Sequence, residues 1–274
     1  MAPVLNGRQG AALTDAVVAA LETSGLREIG YALVLDLETM QYGAWRADAD
    51  VYPASVIKVP IMAEAFRQFS AGAITPADRV TITEANQTTT WGESPFAAGT
   101  HAALGELVDR MITHSDNVAT NQLMDVLRRE RVTEYMRSLG LRTFLLGRKL
   151  SGSEPLIEDP EKVGRNRLPP DEIAMLLGLI ATDRIAGSAQ QREIMSRCVH
   201  ADKLVPGLLP GDRLMHKTGE TSEHSHDAGI LETAEGKRYV IALYTTPEPK
   251  PDDSDADHVN PQMAAWMRAV RTAL

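Results

Sequence analysis

With 274 residues, 43% of them apolar and 24% charged, the chain has ample material for a packed core. Its formal charge of −9 and pI near 5.3 argue against nucleic acid or an anionic membrane surface as a partner. Cys198 is the single cysteine, which excludes an intrachain disulfide and any zinc site built on paired cysteines.

The opening segment, "MAPVLNGRQGAALTDAVVAAL", lacks a basic region feeding a long apolar core with a small-residue cleavage site. No stretch approaches the roughly 18 consecutive apolar residues of a membrane span. The expectation is a cytoplasmic chain or a mature form without its leader. Residues 10–23 read as a helix with Leu13, Val17, Ala20 and Leu21 on one face. "IGYALVLDLETMQYGAWRAD" then gives two strand-like runs around a polar turn at Glu38-Thr39.

From about 53 to 200 the pattern becomes helix after helix, beginning with 55–70 and ending with "PDEIAMLLGLIATD". Strand character returns in "DRLMHKTGE", "HDAGILET" and "KRYVIALYTT". A terminal helix follows, with Asn260 as its expected cap, Pro261 in its first turn and Met263, Trp266, Met267 and Val270 as its buried stripe. The predicted class is α/β in the α+β sense. Residues 1–52 and 201–274 would form an antiparallel sheet flanked by terminal helices, and 53–200 an inserted all-helical domain. The cleft between the two is the expected place for an active site.

Three short motifs could carry chemistry. In "YPASVIKVPIMAEAF", Ser55 and Lys58 stand one helical turn apart on one face. Ser55 sits at a helix start, where unpaired N–H groups stabilise negative charge. Alone, the pair reads as a helix cap and a solvated lysine. "HSDNVATNQL" places Ser115-Asp116-Asn117 at a helix junction, where an acidic or amide cap is ordinary. "LMHKTGE" places Lys217-Thr218-Gly219 on a strand. All three in this order are far rarer than any one, and the trio is the signature of class A β-lactamases and penicillin-binding proteins.

The chain therefore resembles the class A β-lactamases and their serine-hydrolase relatives over nearly its whole length. That resemblance implies a β-lactamase/transpeptidase-like fold. It implies hydrolysis of β-lactam rings through an acyl-enzyme on Ser55, with Lys58 as proton partner and Ser115 as relay to the leaving nitrogen. Asn117 would bind the substrate's side-chain amide. Lys217 and Thr218 would bind its carboxylate, with Gly219 completing that motif, and the backbone N–H groups of Ser55 and Glu220 would form the oxyanion hole. It implies no cofactor and no metal, a β-lactam or acyl-peptide or ester substrate, a monomer, and a periplasmic or secreted location.

The pattern departs from the family where a carboxylate should activate the deacylating water. In "LLGRKLSGSEPLIEDPEKVGRNRLPPDEIAMLL" the nearest echo is Glu154, placed slightly late and lacking its partner asparagine; Ser151 occupies the strictly spaced position, and Glu158 and Glu161 are further candidates. Without a working base the protein would acylate and turn over slowly. A D,D-peptidase or esterase using Ser55, Lys58 and Ser115 is thus the alternative function, and a non-enzymatic sensor holding a stable adduct is a third. Glu220 introduces an acid beside the carboxylate site that would repel a carboxylated substrate unless it points away. Asp116 reads as a tie between helices, His216 as a neighbour that tunes or packs the strand, and Cys198 as a buried small apolar side chain. The trio His216, His224 and His226 lacks a carboxylate or cysteine framework for a metal. Trp91 lies where the family places an aromatic cleft wall.

Overall fold

A computed structural model describes residues 7–150, 165–250 and 256–274. Its centre is a six-stranded sheet of β1 (Arg8–Gln9), β2 (Gly30–Asp36), β3 (Gln41–Trp45), β6 (Arg213–Thr221), β7 (His224–Glu232) and β8 (Arg238–Thr245). The strands run in the order β1-β3-β2-β8-β7-β6. Every pairing is antiparallel except the two-residue β1 against β3. Strand β6 is therefore one edge of the sheet.

The sheet is covered on both faces, which is why β2 and β8 read as continuous apolar runs rather than alternating ones. Alternation sorts their side chains into two cores. Ala32, Val34, Ile241 and Leu243 pack with Val17 and Leu21 of α1 (Ala11–Ser24) and with Met263, Trp266, Met267 and Val270 of α8 (Asn260–Ala273). Leu33, Leu35, Val240, Ala242 and Tyr244 face the other way, into a larger core shared with the helices between β3 and β6.

Those helices are α2 (Lys58–Ser70), α3 (Leu104–Thr113), α4 (Asn117–Leu127), α5 (Arg129–Ser138), α6 (Pro170–Ala181) and α7 (Ser188–Met195). The helical middle also carries a small antiparallel sheet, β4 (Arg79–Thr81) with β5 (His101–Ala103). Three-residue strands are too short to show a period of two, so the sequence pattern gave no sign of them.

Two local expectations change. The helix at Ser55 starts as a single 3-10 turn, Ala54–Ile57, before α2 begins at Lys58. Asn260 is the first residue of α8 rather than its cap; its side chain accepts from Ser225 and donates to Asp202 at 2.7 Å instead. The stripe of α8 is buried as its spacing predicts. Arg271, on the same helix, forks onto Asp212 just before β6 at 2.8 and 3.1 Å.

Trp266 is fully buried between α1 and the sheet, and its indole N–H donates to Val17 O. Trp266→Ala should cost about 3–5 kcal/mol of unfolding free energy through lost burial and a residual cavity, read by urea denaturation. A loss below about 1 kcal/mol would show that this layer is not closely packed.

Candidate active site

Ser55 sits on the 3-10 turn that leads into α2, held by Pro53, whose carbonyl accepts from Val56 N at 3.1 Å. Lys58, three residues on, is fully buried, and its Nζ lies 2.9 Å from Ser55 Oγ. The same nitrogen donates to Ser115 O at 2.7 Å, to Ser115 Oγ at 3.0 Å and to Asn117 Oδ1 at 2.7 Å. Lys217, on the edge strand β6, is also fully buried and reaches Ser115 Oγ at 3.0 Å from the opposite side. The Ser115 hydroxyl thus bridges two lysines that lie 159 positions apart in the chain. The structure brings Ser55, Lys58, Ser115, Asn117 and Lys217 into one cluster.

Two residues, one beside the cluster and one within it, hold strained backbone. Ala54 has φ +45° and Ser115 φ +58°, both in the left-handed region that non-glycine residues rarely adopt. Such conformations cost of order 1–3 kcal/mol and persist where the surroundings enforce them. Asp116 supplies part of that enforcement as the cap of α4, accepting from Ala119 N at 2.9 Å. Gly219 supplies another part. A Cβ there would meet Pro53 O at 2.8 Å, so only glycine lets β6 lie this close to the Ser55 turn.

Burial governs the electrostatics. Removal from water drives the pKa of Lys58 well below the usual lysine range, and the neighbouring Lys217 ammonium pushes it further the same way. Burial also pulls Lys217 down, to about 8, against the opposing pull of acidic neighbours that include Asp227 and Glu220. Burial and the Lys217 ammonium both favour the neutral amine of Lys58, while Lys217 keeps its charge near neutral pH.

Strand alternation puts His216, Thr218 and Glu220 on the other face of β6 from Lys217, with Thr218 and Glu220 still reaching the cleft at this sheet edge. His216 Nδ1 lies 2.8 Å from Asp227 Oδ1 on β7, and both are buried. Burial opposes charging of His216, but Asp227 outweighs it and raises the pKa to about 10. Cys198 corrects its expectation as an inert apolar filler. It is half-buried and hydrogen-bonds His216; although burial raises its pKa, the imidazolium lowers it on balance.

The cluster opens into a cleft of about 430 Å³ bounded by Ser55, Ser115, Asn117, Thr218 and Glu220, with Thr89, Thr90, Trp91, Gly92 and His200 on its rim. Trp91 is 66% exposed and meets His200 edge-to-face with ring centroids 5.0 Å apart. Asn117 Nδ2 donates to Thr89 O at 2.8 Å, tying the rim to the cluster. Thr89, Thr90 and His200 were not legible as site residues, because nothing in their neighbours' types marks them. Glu154, with Ser151, Glu158 and Glu161, lies outside the described residues.

Among the described residues no group of three histidine, cysteine, aspartate or glutamate side chains could hold a metal. His224 and His226 instead stack in a ring series with Tyr52 and Tyr244, and burial pulls His226 down to about 3.

This architecture is shared with solved proteins. The structure of PBP-A superposes with a TM-score of 0.82 at 23% identity over 97% of both chains. A β-lactamase from Sphaerobacter thermophilus gives 0.80 at 25% identity over 96% of this chain and 97% of that one. An ancestral (GNCA) class A β-lactamase gives 0.81 at 23%, covering 96% and 100%. Comparison with curated proteins gave no match. The family model described as "Beta-lactamase enzyme family" matches residues 13–267. Matched from its first helix to its last, this chain belongs to the β-lactamase enzyme family.

Proposed function

We propose that the protein is a serine β-lactamase that opens β-lactam rings through an acyl-enzyme on Ser55. The observation that carries this is the buried Lys58 amine 2.9 Å from Ser55 Oγ, with Ser115 Oγ shared between Lys58 and Lys217. In its neutral form Lys58 takes the Ser55 hydroxyl proton as Oγ attacks the carbonyl carbon. The tetrahedral oxyanion is met by the N–H groups of Ser55 and Glu220. As the C–N bond breaks, the leaving nitrogen takes the Ser115 proton, and Lys58 Nζ at 3.0 Å returns one to Ser115 Oγ. The Lys217 ammonium stabilises the developing charge and orients Ser115. Water then releases the acid, with Glu154 as our candidate base.

A D,D-peptidase or esterase activity is the second reading. It is favoured by Glu154's departure from the family's spacing and by similarity to PBP-A, a variant of which forms an acyl-enzyme complex with penicillin-G.

Incubation with a chromogenic cephalosporin, followed by absorbance and intact mass, separates these readings. Sustained turnover supports the lactamase, and a stable adduct with little turnover supports the peptidase or esterase. Ser55→Ala should abolish both signals, and a rate unchanged in Ser55→Ala would overturn the catalytic account. Glu154→Gln should make the acyl-enzyme accumulate at least 100-fold longer; an unaltered deacylation rate removes Glu154 from the mechanism.

Acylation also has a defined pH response. It needs neutral Lys58 and charged Lys217, so kcat/KM should fall as pH rises through about 8, where Lys217 loses its proton. A profile flat from pH 7 to 10 would show that the Lys217 charge is not used.

A further inference from the structure

Glu220 closes one end of the cleft and is 22% exposed there. Its Oε1 accepts from Lys203 Nζ at 3.0 Å, and Lys203 is fully buried. The Lys203 ammonium also donates to Ser225 Oγ at 2.5 Å, directly across the β6–β7 ladder from Glu220. Ser225 Oγ donates in turn to Asn260 Oδ1 at 2.9 Å, and Asn260 Nδ2 donates to Asp202. A continuous chain of hydrogen bonds therefore runs from Glu220 under the sheet edge to α8. It fixes Lys203 in place and leaves its charge answered by a carboxylate of the protein itself.

The cations around the cleft can be weighed one by one. Lys58 is driven toward the neutral amine by burial. Lys217 donates to Ser115 Oγ at 3.0 Å and to Thr218 O at 2.8 Å. His200, on the rim, has its pKa lowered, mostly by burial. No arginine lines the cleft among the described residues. Among the described residues Lys203 is the one additional cation at the Thr218 end, and Glu220 already pairs with it. A substrate carboxylate entering beside Thr218 would meet a second carboxylate there, and the Lys203 ammonium at that end is already paired with it, an arrangement that costs binding energy.

We propose that Glu220 is a specificity-determining residue that occupies the anion position beside Thr218, so that the site selects acyl donors that are neutral or cationic at that end over free carboxylates. This rests on Ser55 being the acylated residue. It departs from the carboxylate recognition that the family resemblance implies for Lys217 and Thr218.

The test compares benzylpenicillin with its methyl ester, following the acylation rate by intact mass. The wild-type protein should acylate with the ester at least as fast as with the acid. In Glu220→Gln the acid-to-ester ratio of kcat/KM should rise roughly tenfold, because Lys203 is released to meet the substrate's carboxylate; the double variant Lys203→Met/Glu220→Gln should abolish that gain. A ratio that shifts less than twofold in Glu220→Gln, or a wild type that prefers the acid more than tenfold, overturns the proposal.

A wild-type measurement needs no variant to fold. Calorimetry with meta-aminomethyl- and meta-carboxyphenylboronic acid should show tighter binding of the cationic boronate, and the reverse order refutes the assignment. If neither penicillin acylates Ser55, the functional reading itself falls and this inference falls with it.

Discussion

Everything at the centre of this protein depends on two lysine side chains buried around one serine hydroxyl. Two ammonium ions at hydrogen-bond distance from the same oxygen, away from water, would repel each other strongly. The conflict is eased because burial lowers the proton affinity of Lys58 well below the usual lysine range, while Lys217 keeps acidic company from Asp227 and Glu220. Burial, usually a cost for a charged side chain, thereby favours the amine form of Lys58. The surrounding fold exists in large part to bring an edge strand and two helix starts within 3 Å of each other without admitting bulk solvent.

That proximity depends on particular backbone choices. Ala54 and Ser115 are held in left-handed conformations on the two sides of Lys58, and Gly219 lets β6 press against the Ser55 turn. A single helix carrying Ser55 and Lys58 would position only those two. The third and fourth members come from a helix junction and from the sheet edge, so the site is rigid only if sheet and helices pack as one body. The two cores on either side of β2 and β8 provide that packing, and the Arg271–Asp212 fork fastens the approach to β6.

Much of this was legible in the residue order. The apolar runs of β2 and β8 and the stripe of α8 follow directly from their periods, since burial on one or both faces leaves a pattern. Ser55, Lys58, Ser115, Asn117 and Lys217 were found because three motifs recur together. The contributions that stayed hidden are those made by geometry alone. The strands β4 and β5 are too short to have a period. Asn260 looked like a helix cap, yet its amide is engaged under the sheet. Lys203 carried no motif to single it out, and nothing in "HADKLVPG" shows that it points inward to Glu220 and Ser225. Cys198 looked like filler, but its partner His216 lies 18 positions further on, a contact that exists only once β6 folds back past the end of α7.

The position of Trp91 has a practical consequence. The chain has three tryptophans. Trp266 is sealed in the core, and Trp45 is packed between the guanidinium groups of Arg27 and Arg46 at 4.2 and 5.1 Å. Trp91 alone stands in solvent at the cleft mouth, with an imidazole against its ring edge. An occupant that reaches that end of the cleft would displace water from the indole or part it from His200. Trp91 is therefore the indole whose surroundings an occupant of the cleft mouth would change, while Trp266 and Trp45 stay packed within the protein.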